Sequence, residues 1–113
     1  MIFMNHTFIV LLEFYPKWLQ LSRENRNEKA QSLLAIINKY PNISVRFFDA
    51  EAFPGANYTD FAIYETTDIA GYHFMWEEIR DTNLYTEGYF KIKDVIFGVE
   101  DAFKAFEKQK GIA

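Results

Sequence analysis

His6-Thr7-Phe8-Ile9-Val10-Leu11-Leu12-Glu13-Phe14 is a nearly unbroken run of β-branched, aliphatic and aromatic residues. Its β-branched and aromatic residues mark it as a strand. Successive side chains of a strand point to opposite faces, so Phe8, Val10, Leu12 and Phe14 share one side while Ile9, Leu11 and Glu13 share the other. Both sides are apolar over most of the length. A half-solvated strand would alternate apolar with polar residues, so this one is expected to be central and covered on both faces.

The next patterns down the chain have helical and strand periods in turn. Pro16 stops the first strand, and 16–21 fits a short helical turn carrying Trp18. Ser22 is a helix N-cap whose hydroxyl can accept from the amide of Asn25, with Glu24 favourably placed in the first turn. Ala30, Leu33, Leu34 and Ile37 recur at helical spacing up to about Tyr40, where Pro41-Asn42 ends the pattern. A second strand follows over Ile43 to Asp49, with Val45 and Phe47 opposite Arg46 and Phe48. Residues 50–59 hold Pro54-Gly55 and Asn57 and read as a loop. The third strand runs from about Asp60 to Thr66, with Phe61, Ile63 and Glu65 opposite Ala62, Tyr64 and Thr66. Thr67 or Asp68 caps a second helix striped by Ile69, Tyr72, Trp76 and Ile79, and Gly71 weakens it by about 1 kcal/mol relative to alanine. Residues 83–88 read as irregular or a short turn. A fourth strand covers about 89–97, and 101–108 have helical composition with Phe103 and Phe106 three apart.

This order gives an α+β fold of the ferredoxin-like βαββαβ class. The chain is expected to form one domain over 1–113, a four-stranded antiparallel sheet with two helices on one face. Two helices cover one side of a sheet whose strands offer apolar residues to both. Leaving the second side wet would cost several kcal/mol at about 25 cal/mol per Å², a large share of a domain's total stability. A cover is therefore expected: a second copy of the chain, an apolar ligand, or the tail from Val99 onward. The favoured cover is a homodimer, because a self-complementary patch closes under two-fold symmetry.

The 113 residues leave room for one ordinary domain. A chain that is 50% hydrophobic is not disordered. The absence of cysteine removes disulfides, thiolate nucleophiles and cysteine-ligated zinc. The net charge of −4 and the dispersal of Lys91, Lys93 and Lys104 argue against a nucleic-acid track. Five apolar residues, Phe8 to Leu12, form too short a run to span a membrane, and no signal-peptide pattern surrounds them. The expectation is a cytoplasmic protein without nucleic acid, membrane, metal or cofactor as partner.

Few residues suggest chemistry. Arg46 lies in a strand among aromatic residues. If it shares the open face with Glu13 and Tyr64, the three make a polar cluster in an apolar cavity, suited to a carboxylate or a small ligand. The plainer reading is an ion pair with Glu13, Asp49 or Glu65. His73 stands four residues before Glu77, a spacing that supplies two metal ligands but no third, so His73 and Asp49 remain weak acid/base candidates. Two functions follow. One is a homodimeric α+β barrel binding module with a cavity for a small apolar or aromatic ligand. The other is a cofactor-independent oxygenase or isomerase acting on a small aromatic or dicarbonyl compound, with Arg46 stabilising an enolate.

Four segments carry a family resemblance: Pro16-Lys17-Trp18-Leu19-Gln20-Leu21-Ser22, Arg46-Phe47-Phe48-Asp49-Ala50-Glu51-Ala52-Phe53, Glu65-Thr66-Thr67-Asp68 and Glu78-Ile79-Arg80-Asp81-Thr82. Together they resemble the darcynin family of small bacterial proteins over about residues 7–105, with a departure at Pro54-Gly55-Ala56-Asn57. The resemblance implies a fold similar to the dimeric α+β barrel proteins. It implies no catalytic residues, because the family has no assigned activity.

Overall fold

A computed structural model describes residues 4–52 and 57–112. The elements are β1 (His6–Phe14), α1 (Pro16–Leu19), α2 (Arg23–Ile37), β2 (Ile43–Asp49), β3 (Asp60–Thr66), α3 (Ile69–Arg80), α4 (Asn83–Thr86), β4 (Phe90–Val99) and α5 (Ala102–Gln109). The expected Pro54-Gly55 turn lies outside the described residues.

The four strands form one antiparallel sheet in the order β2-β3-β1-β4. β1 is central, as its two apolar faces require. Phe8 opposes Tyr64, Val10 opposes Ala62, and Val45 opposes Tyr64. These residues therefore share one side, where Ile36 of α2, Met75 and Ile79 of α3 and Leu84 of α4 pack on them as the core. Val10, Ala62 and Met75 are fully enclosed. Thr7, Ile9, Leu11 and Glu13 of β1 point the other way, with Arg46 and Phe48 of β2, Phe61, Ile63 and Glu65 of β3, and Ile96 of β4. No described helix packs on that side. Ile96 there is 54% exposed.

Local chemistry accounts for the helix boundaries. The Ser22 hydroxyl accepts from the Asn25 amide at 3.1 Å, and the Asp68 carboxylate accepts from Gly71 at 2.9 Å. α2 stops at Ile37 rather than near Tyr40, because the amides of Lys39 and Tyr40 bond the carbonyls of Ile36 and Ile37, three residues back, and tighten the end of the helix into turns. In α3 the centre of the buried face is Gly71, Met75 and Ile79. The expected stripe is turned by part of a helical step: Tyr72 and Trp76 are half-buried flanks, and Ile69 is exposed. Gly71 does more than weaken the helix, because a Cβ there would lie 2.3 Å from the capping carboxylate of Asp68. Residues 83–86 form the short helix α4, capped by Thr82.

β4 continues to Val99, two residues further than its sequence pattern suggested, because His6 opens β1 directly opposite Val99. A bulge at Lys93 shifts the register between Leu11 and Leu12, so that Ile92 and Val95 both face the helices. Beyond the strand, Asp101 adopts a left-handed conformation (φ 50°) and turns the chain into α5. That helix has no core residue: Phe103 and Phe106 are 62% and 57% exposed. The radius of gyration is 16.8 Å, against about 13 Å for a compact chain of this length.

Candidate functional site

The sheet register separates the side chains expected to meet at one cavity. Arg46 opposes Ile63, which places it on the open face, whereas Tyr64 and Thr66 point into the helix layer. Arg46 is paired with Glu65 at 2.9 Å, and its guanidinium lies 5.8 Å from the centre of the Phe48 ring. Glu13 is also on the open face but pairs separately with Lys93 at 3.4 Å. His73 is exposed on α3, 3.4 Å from Glu77. These three residues line none of the cavities described below.

Tyr64 and Asp49 lie instead at the two ends of a different feature. Between α2 and the helix-facing side of the sheet is a cavity of about 220 Å³, walled by Leu12, Phe14, Trp18, Leu33, Tyr64 and Trp76 among others. Tyr64 is 2% exposed, and burial pushes its hydroxyl pKa well above the usual phenol range. Burial also raises that of Tyr72 to about 12. The Trp76 indole Nε1 is buried without a well-aligned hydrogen-bond partner, although the Tyr72 hydroxyl lies near enough to feel it. A buried donor left unpaired costs about 1–3 kcal/mol, so this group favours any acceptor that reaches it.

Asp60 lines the cavity and also a second, adjoining cleft of about 240 Å³. The two share Phe14, Trp18 and Asp60. The cleft has Arg23 and Arg26 of α2 on one wall and Asp49, Glu51 and Asp60 on the other. The three carboxylates each offer an oxygen within 4.8 Å of the others, a spacing a cation can bridge. Burial pushes Asp60 up to about 6; a hydrogen bond from Thr59 pulls it down, while Glu51 and Asp49 raise it. The arginines make no ion pair with these carboxylates, and Arg26 Nε is buried without a hydrogen-bond partner among the described residues.

Sequence reasoning placed Trp18 on a short helical turn and Trp76 on the apolar stripe of the second helix, and missed Arg23, Arg26 and Asp60 as cleft residues. One signal was available. Arg26 stands four residues before Ala30 and seven before Leu33, on the apolar stripe of α2, where a solvated arginine would not be expected. Asp60 carried no such signal, because only the closure of the β2–β3 connection sets it opposite Asp49.

Known proteins agree with this fold. "Darcynin 1" of Acinetobacter baumannii is 39% identical over 90 residues, covering 79% of this chain and 99% of that protein. "Darcynin" of Chromobacterium violaceum is 39% identical over 74 residues, covering 66% of this chain and 92% of its own length. Among solved structures, a putative chlorite dismutase superposes with a TM-score of 0.71 at 18% identity, over 87% of this chain and 44% of that one. A chlorite dismutase mutant from Candidatus Nitrospira defluvii gives 0.67 at 11% identity, over 84% and 39%. The chain thus spans less than half of either chlorite dismutase, and at these identities the likeness is one of fold alone. The Darcynin family, a domain of unknown function, matches residues 3–112, and the chain belongs to that family.

Proposed function

We propose that this protein is a cytoplasmic homodimeric binding module that holds a small apolar or aromatic molecule under its helices. The cavity behind Trp18, Tyr64 and Trp76 carries this reading, because its wall is almost wholly apolar and its size is below the roughly 300–1,000 Å³ of sites for drug-sized ligands. One or two fused rings suit it. Tyr64 contacts the ligand body.

The dimer rests on separate observations. Ile9, Leu11, Phe48, Phe61, Ile63 and Ile96 form an apolar sheet face that no described helix covers, with Phe48 and Phe61 stacked at 4.7 Å between ring centres. The accessible surface is 7737 Å², against about 6,500 Å² for a compact chain of 13.4 kDa. The excess exceeds the roughly 800 Å² that each partner buries in a standard interface. In this reading the Arg46–Glu65 and Glu13–Lys93 pairs sit within or around the interface, and α5 lays Phe103 and Phe106 on the second copy.

A thermal melt in the presence of indole, naphthalene derivatives and aliphatic compounds of equal size tests the cavity. Aromatic compounds are expected to raise the melting temperature and aliphatic ones to do so less. A melt unmoved by every compound refutes the ligand reading and leaves the dimer to be judged by its mass in solution.

A further inference from the structure

We infer that the cavity and the charged cleft at its mouth form one site, for a molecule with an aromatic body and a zwitterionic head of the α-amino-acid type. The inference rests on the ligand reading above and specifies the chemistry of the ligand. The two spaces adjoin and share Phe14, Trp18 and Asp60 in their linings, so the outer end of a molecule seated against Trp18 and Trp76 would lie beside the cleft. An apolar cavity of about 220 Å³ takes an aromatic body but offers nothing to a charge. The cleft offers both signs on facing walls.

Arg23 and Arg26 hold five donors each in a planar fork that matches a carboxylate. Arg26 Nε is already out of water and has no hydrogen-bond partner among the described residues, so an incoming carboxylate oxygen would satisfy that donor. On the other wall Asp49, Glu51 and Asp60 crowd three carboxylates together. Their mutual repulsion, and the partial burial of Asp60, favour a cation among them. An ammonium group supplies one, with three donors for three acceptors. A ligand with only a carboxylate would meet the acidic wall unfavourably, and an amine alone would leave Arg26 unpaired. The head that suits both walls carries the two charges close together.

Isothermal titration of the full chain at pH 7.5 with EDTA tests this; Asp60 is then ionised and no divalent cation occupies the carboxylates. The ligands are L-phenylalanine, L-tryptophan, 3-phenylpropionate, 2-phenylethylamine and indole. One of the two amino acids is expected to bind at least tenfold more tightly than either singly charged analogue and than indole. Arg26→Gln is expected to remove that advantage while leaving indole affinity unchanged, which also shows that the variant is folded. Equal affinity of indole and the amino acids, or an amine or acid that matches the zwitterion, overturns the inference and leaves the aromatic cavity standing. Absence of binding by all five overturns the cavity reading as well.

Discussion

Asp60→Asn separates the cost of the crowded cleft from the rest of the protein's stability. In the folded chain the Asp60 carboxyl is pushed up to about 6 by burial, with Glu51 and Asp49 adding to the effect against the Thr59 hydrogen bond. In the unfolded chain it titrates near 3.9. The folded state therefore holds this proton more tightly. The resulting stabilisation is complete below about pH 4 and is lost as pH rises through about 6. A gap of two units corresponds to about 3 kcal/mol at most. Asp60 is only partly buried at a cleft mouth, and solvent screening reduces the figure to about 1 kcal/mol. Asparagine keeps the shape and removes the charge. At pH 7.5 the variant should be about 1 kcal/mol more stable, or about 4 °C higher in melting temperature for a chain of this size. At pH 4 the two proteins should melt together. Differential scanning calorimetry at pH 4, 5, 6 and 7.5, at one fixed protein concentration, gives both curves. A variant that is less stable at pH 7.5, or that keeps the wild-type slope between pH 4 and 6, refutes the assignment of that slope to Asp60.

Three further outcomes follow from the packing. Met75 is fully enclosed at the centre of the α3–sheet contact, so Met75→Ala should cost about 2–5 kcal/mol, read as a lower urea midpoint with the slope unchanged. The Thr82 hydroxyl accepts from the Tyr85 amide at 3.3 Å and donates to the Ile79 carbonyl at 2.7 Å; Thr82→Ala should cost about 1 kcal/mol in the same assay. Arg46→Ala should lower monomer stability by less than about 1 kcal/mol, because the pair with Glu65 is solvent-exposed, yet weaken self-association severalfold in sedimentation equilibrium. An unaltered association constant would place Arg46 outside the interface.

What could be read from the sequence divides along physical lines. The two apolar faces of β1 identified a central strand, because a side-chain period of two needs no partner to be recognised. Ser22 was legible as a cap, and Asp68 as one of two candidates with Thr67, since a cap is a hydrogen bond to an amide three residues away. The side of the sheet on which Arg46 meets its neighbours was not legible. Alternation within β2 separates Arg46 from Val45, but only the inter-strand register puts it beside Ile63 rather than Tyr64. The same holds for the cleft. Asp49 and Glu51 look like a solvated strand end until β3 returns with Asp60 and α2 sets Arg26 across from them. The turn of the α3 stripe had a different cause. Gly71 contributes no hydrophobic signal, yet it marks the middle of the buried face because the Asp68 cap occupies the space a side chain would need.

Sedimentation equilibrium from nanomolar to high micromolar concentration, with wild type and Ile63→Lys run side by side, reports whether a second copy covers the open sheet face. Wild type is expected to approach twice the 13.4 kDa chain mass, while Ile63→Lys stays at one chain mass and melts at a lower temperature under conditions where wild type is dimeric. A wild-type chain that remains at 13.4 kDa throughout, with a melting temperature independent of concentration and equal to that of Ile63→Lys, would contradict the account.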